Sequence, residues 1–140
     1  MKHPPITTSL TYLLAQANRV VNTTLERLLA QEGAQIEHWR VLEVLSDEQG
    51  RSMGELAQLV LMNHPALTKL MDRMVSRGWV HRVTDSEDSR KVLVFVTDAG
   101  LEFAARLRQR VADYHDSIDA GSRRTVQLKR LLGTLIREHE

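Results

Sequence analysis

Cysteine is absent from this chain of 140 residues, which excludes disulfides, thiolate metal sites and thiol-based redox sensing. Aromatic residues make up only 4%, so the core has to be assembled from Leu, Val, Met and Ala, a set that suits helices. The net charge is +1, too small to argue for nucleic acid by itself; only the local placement of cations can do so. No apolar run approaches membrane-spanning length, and the opening MKHPPITTS has no signal-peptide core. A cytoplasmic protein with no membrane partner is expected. No Gly-rich phosphate loop or nucleophile motif is present, so catalysis has no support. His3, His38, His64, His81, His115 and His139 never fall at a helical ligand spacing, and neither a metal nor a cofactor is expected.

What is present is organised around NHPALTKLMDRMVSRG, residues 63 to 78. Asn63 is a good N-cap, Pro65 is tolerated in a first turn, and Gly78 can take the left-handed conformation that ends a helix. Leu67, Leu70, Met71 and Met74 make an apolar stripe at three- and four-residue spacing. His64, Thr68, Lys69, Asp72, Arg73 and Arg77 lie off it. One face anchors such a helix to a core, and the other suits an acidic groove, as a DNA recognition helix requires.

The flanking segments read consistently with that role. A long first helix, capped from Thr7, Thr8 or Ser9 and running to about Gln31, carries Leu10, Leu13, Leu14, Ala17, Val21, Leu25 and Leu28 on one stripe. A second helix spans about Ile36 to Ser46, and DEQGRS reads as a loop. Ser52 and Glu55 form a capping box that opens a short third helix. Third helix, tight turn and fourth helix make a helix-turn-helix. WVHRV and VLVFV are strand-like, joined by the polar TDSEDSRK, and predict a hairpin wing. Thr97 caps a fifth helix reaching about Ala120, Gly121 and Ser122 mark a break, and a sixth helix runs from about Arg123 to Glu138.

The fold class is therefore mainly α with a small β-wing, in the order α-α-α-α-β-β-α-α. A winged helix-turn-helix lobe, residues 36–97, is flanked by apolar helices at 6–31 and 101–138 within a single domain of residues 1–140. The terminal helices carry more apolar surface than so small a lobe can cover. A homodimer would cover it and would set two recognition helices one DNA turn apart, as a palindromic operator in double-stranded DNA requires.

Four stretches resemble the MarR family (multiple antibiotic resistance regulator type) of bacterial transcription regulators. They are IEHWRVLEVL, SMGELAQLVLMNHPALTKLMDRMVSRGWVHR, the wing signature DSRKVLVFVTDAG, and the long terminal helices. The resemblance implies that Arg90 enters the minor groove while Asp88 braces it, with Lys91 and Arg82 on phosphates. A narrow minor groove attracts a guanidinium, and a nearby carboxylate preorganises it. Asn63, His64, Thr68 and Lys69 would face bases or phosphates, and Arg73 the backbone. Pro65 departs from the Ser or Thr often found near that position and cannot donate a hydrogen bond.

The resemblance further implies repression that is relieved by a small aromatic or phenolic acid bound where the dimerisation helices meet the lobe. Tyr12, Arg19, His38 and Trp39 are the candidate lining: Arg with His for a carboxylate, Trp39 for a ring. The alternative is a winged-helix protein-interaction module without specific DNA binding. Such a module has no need of a basic wing tip, yet Arg90 and Lys91 stand there.

Overall fold

A computed structural model describes residues 2–88, 90–119 and 122–140. Ala120 and Gly121, expected at the last inter-helix break, and Ser89 of the wing lie outside the described residues. The described elements are α1 (Leu10–Ala30), α2 (Ile36–Leu45), β1 (Arg51–Ser52), α3 (Met53–Val60), α4 (His64–Ser76), β2 (Val80–Thr84), β3 (Val92–Val96), α5 (Asp98–Asp119) and α6 (Arg123–Glu138). A short 3-10 turn, Ile6–Thr8, precedes α1. The order matches the expected winged helix with two additions, that turn and β1. The stretch DEQGRS is not wholly loop: Arg51 pairs with Val94 and Ser52 with Leu93, which makes β1 the third strand of an antiparallel sheet ordered β1-β3-β2. Two residues are too few to show an alternating pattern, so only the partner strand makes them a strand.

Local chemistry sets most boundaries. Ser9, among the three capping candidates, accepts from the Tyr12 N–H at 3.3 Å. Ser52 Oγ accepts from the Glu55 N–H at 3.2 Å, and Glu55 Oε1 accepts from the Ser52 N–H at 3.4 Å, the reciprocal box expected there. The Thr97 hydroxyl accepts from the Gly100 N–H at 3.0 Å and donates to the Gly78 carbonyl at 2.5 Å. One side chain thus caps α5 and ties it to the end of α4. Gly100 is required for a different reason: a Cβ there would stand 2.1 Å from the Trp79 carbonyl oxygen.

The core lies inside the lobe. Val41, Leu42 and Leu45 of α2, Leu56 and Val60 of α3, Leu67, Met71 and Met74 of α4, and Val94 of β3 are fully buried. Phe103, Ala104, Leu107 and Val111 of α5 close it. Of α1, Leu25 and Leu29 are the buried residues. Earlier on the same stripe Leu10 and Leu13 are at least half exposed, as are Leu131 and Ile136 of α6. The apolar stripes at both ends of the chain are therefore real, and the lobe leaves them uncovered.

Candidate nucleic-acid interface and effector site

Helix α4 is built as its sequence suggests. Asn63 Oδ1 accepts from the Ala66 N–H at 2.9 Å. The end is a Schellman closure around Gly78, with Gly78 N–H on the Val75 carbonyl at 2.9 Å and Trp79 N–H on that of Met74 at 3.0 Å. Leu67, Leu70, Met71 and Met74 are buried and hold the helix to the lobe. Residues three and four apart share a flank of a helix, so the exposed surface of α4 divides in two. His64, Thr68 and Asp72 follow one flank, with the Thr68 hydroxyl bonded back to the His64 carbonyl at 3.0 Å. Lys69, Arg73 and Arg77 follow the other.

The wing rises beside the first flank. Arg82 of β2 pairs with Asp72 of α4 at 2.5 Å, a contact across ten residues that joins wing to recognition helix. The reading of Arg82 as a phosphate ligand did not include this partner. Two Asx turns shape the wing tip: Asp85 Oδ1 accepts from the Glu87 N–H at 2.9 Å, and Asp88 Oδ1 from the Arg90 N–H at 3.0 Å. Backbone bonds from Lys91 N–H to the Asp88 carbonyl and from Asp85 N–H to that of Lys91 close the loop. Asp88 and Arg90 also meet through their side chains at 3.5 Å, while 93% of the Arg90 side chain is exposed. So exposed a pair adds little stability. Its consequence is that an exposed guanidinium stands at the tip beside Asp88, with Lys91 exposed next to it.

On the second flank an open groove of about 780 Å³ runs between the end of α1, the start of α2 and α4. Glu26 and Glu37 come to it from α1 and α2, and Lys69 and Arg73 from α4. Three of the residues expected at DNA, Asn63, Lys69 and Arg73, therefore also border the junction with the end of α1.

The four candidate effector residues do not gather within one protomer. His38 is buried, and its Nδ1 accepts from the Gln35 N–H at 3.0 Å, which caps α2. Its ring meets the Trp79 ring edge-on at 5.5 Å. Burial, with the cations Arg77 and Arg73 nearby, holds the His38 pKa below its ordinary 6.5, with Glu37 opposing. The imidazole is therefore neutral, as an acceptor Nδ1 requires. Trp39 turns to the other side of α2, where it meets His115 of α5 at 5.4 Å. Its indole N–H is buried and has no acceptor among the described residues. Tyr114, next to His115, bonds through its hydroxyl to the Val21 carbonyl of α1. Arg19 is exposed two residues before Val21, and Tyr12 lies nine residues before it, about 14 Å along the helix at 1.5 Å per residue. The structure thus brings together Trp39, His115, Tyr114 and the middle of α1. The sequence offered no spacing signal for His115 and Tyr114, because their place depends on how α5 crosses α2. Among the described residues no group of three or more His, Asp or Glu side chains is gathered to hold a metal ion.

A helix-turn-helix with an exposed second helix, a hairpin wing carrying an exposed arginine, and long apolar flanking helices define a winged-helix fold. Residues 33–91 match the model of the MarR family. It is 27% identical over 124 residues to the HTH-type transcriptional regulator FarR of Neisseria gonorrhoeae, covering 87% of this chain and 85% of that one. Among solved structures it is similar to a cysteine-to-serine mutant of MarR from E. coli complexed with operator DNA, with a TM-score of 0.83 and 25% identity. That match covers 94% of this chain and 99% of MarR. It is also similar to NadR in complex with 4-hydroxyphenylacetate, with a TM-score of 0.80, 26% identity, and 96% and 97% of the two chains covered. The MarR family is one of transcriptional regulators rather than enzymes.

Proposed function

We propose that this chain is a cytoplasmic, dimeric repressor that binds a palindromic operator in double-stranded DNA and is released by a small aromatic or phenolic acid. The observation that carries the DNA reading is the wing. Arg90 is 93% exposed on a turn ordered by Asp88, beside a recognition helix to which Arg82 and Asp72 tie it. Part of the entropy cost of presenting a guanidinium to a minor groove is met before DNA arrives. His64 and Thr68, on the wing side of α4, are placed to enter the major groove, and Asn63 sets the angle of that helix by capping it. Lys69, Arg73 and Lys91 supply positive charge for phosphates.

The dimer reading rests on exposed Leu10, Leu13, Val20, Val126, Leu131 and Ile136 at the two ends of the chain. A two-fold axis through these faces would hold the recognition helices about 34–36 Å apart, matching successive major grooves. The effector reading rests on Trp39. A buried indole N–H without an acceptor is uncommon in a finished core, and this one stands beside aromatic rings at the junction of α1, α2 and α5. An acid that accepts from it and stacks there would favour one spacing of the two lobes, and release follows if that spacing fits DNA poorly.

The test is fluorescence anisotropy of the purified chain on DNA from its own upstream region, against a scrambled duplex, across a salt series and then a panel of aromatic acids. Tight binding to one fragment, steeply weakened by salt and released by one acid, is expected. Equal, weak binding to both duplexes would overturn the operator reading and favour a protein partner for the winged lobe.

A further inference from the structure

We infer that Arg77 is a positioning residue, the strut that fixes the recognition helix to the end of the dimerisation helix. On this inference operator affinity depends on a side chain that does not touch DNA, and to that extent it rests on the function proposed above. Arg77 is the C-cap residue of α4, between Ser76 and the Gly78 closure. Its Nη1 donates to the Gly33 carbonyl at 3.2 Å, a contact spanning 44 residues. Its guanidinium lies over the Trp79 ring, 4.9 Å from the centroid.

Both ends of this contact are specific places in the fold. Gly33, with φ +75°, closes α1 much as Gly78 closes α4: Gly33 N–H bonds to the Ala30 carbonyl and Ala34 N–H to that of Leu29, each at 3.0 Å. The Gly33 carbonyl lies just beyond the negative end of α1, where a cation is favoured, and the charged donor strengthens the bond. Trp79 is no ordinary neighbour either. It stacks on Phe103 of α5 at 4.3 Å and 10°, meets His38 of α2 edge-on, and sits with its carbonyl against Gly100. Arg77 therefore bridges the closed end of α1 to a ring already held by α2 and α5.

The placement matters because α1 enters the lobe's core near its end, beyond its mid-helix contact with Tyr114. Leu25 and Leu29 are its buried residues, and Gly33 follows four residues after Leu29. A tilt of α1 set by the dimer would reach Gly33, and the side chain bonded there is Arg77, the C-cap of α4.

The test compares wild type with Arg77→Met, which keeps length and loses the charge and the donors. Hydrogen–deuterium exchange should quicken about tenfold in peptides covering residues 29–36 and 74–80, and stay unchanged over 92–112, as local rather than global opening requires. A uniform rise, or none, overturns the strut. Against a duplex that wild type selects from a random pool, R77M should bind about five- to tenfold more weakly with an unchanged slope of log affinity against log salt. A slope shallower by about one would make Arg77 a phosphate ligand instead, and unchanged affinity would remove it from DNA binding; either overturns the inference. If wild type selects no duplex, the operator reading fails while the exchange result still decides the strut. Trp79→Phe keeps the stack on Phe103 but offers Arg77 a weaker face. It should give the same pattern at smaller amplitude, and it decides the question if R77M does not fold.

Discussion

The winged lobe and the terminal helices are both rich in Leu and Val, yet they spend that surface differently. In the lobe, Leu42, Leu56, Leu67 and Met71 are wholly buried by neighbours in the same chain. In the first half of α1 and along α6, side chains of the same kind stay open: Leu10 at 58%, Leu131 at 68% and Ile136 at 57% exposure. A segment that closes its own core needs no partner to be stable. A segment that repeats an apolar stripe over many turns without a neighbour is made for another surface, here proposed to be its own copy. Between the two, the end of α1 is the only part of that helix that joins the lobe's core among the described residues. In the proposed dimer, a change in assembly would reach the proposed DNA-reading face through that narrow seam.

The contrast predicts unequal outcomes. Leu42→Ala should cost about 2–5 kcal/mol of folding stability, read as a lowered urea midpoint, because a fully buried Leu leaves a cavity. Leu131→Glu should leave the fold intact and halve the mass seen by sedimentation. Operator binding would then drop by about a hundredfold or more as half-site avidity is lost. A mass equal to wild type would break the comparison, since the open face would then have another purpose. Arg90→Ala should weaken operator binding at least about tenfold at moderate salt, flatten the salt slope by about one and leave the dimer untouched. Unchanged affinity in that titration would remove the wing from the mechanism.

The smallest effect concerns pH. The folded-state pKa of His38 is lowered from 6.5 by burial and by Arg77 and Arg73, so the unfolded chain binds the proton more readily. Stability from the neutral imidazole is fully present above about pH 6.5. It is lost as pH falls from there toward the lowered folded value. The urea midpoint of wild type should decline on acidification through this window, and His38→Phe should flatten that decline. An identical pH profile in the variant would place the acid sensitivity elsewhere.

Much of the fold was legible because it is written in short-range chemistry. Ser52 with Glu55, Asn63 with Gly78, and Thr97 each act within a few residues, so reading along the chain locates three helices almost to the residue. The β-branched, apolar run VLVFV identifies β3, and the acidic, Ser-containing loop before it reads as a turn for the reason the structure displays, Asx turns at Asp85 and Asp88. The site was legible only where it is equally local. Asp88 and Arg90 are two residues apart and meet as expected.

Contacts that depend on packing were out of reach. Asp72 and Arg82 are each an ordinary exposed charge in the sequence, and they pair only because β2 folds back along α4. His38 offered itself as a ligand for an acid, whereas its position three residues into α2 turns the ring back onto the Gln35 N–H and under Trp79. Trp39, one residue later and about 100° further round the helix, points instead to His115. The sequence by itself determined where helices start and stop, which faces are apolar and that the wing tip is cationic, because caps, periodicity and turn residues act over three or four positions. Only the tertiary structure decided which of those apolar faces stay open, which charges find partners and which rings share a junction, because those depend on how separate elements cross, over 44 residues for Arg77 on Gly33 and 93 for Tyr114 on Val21.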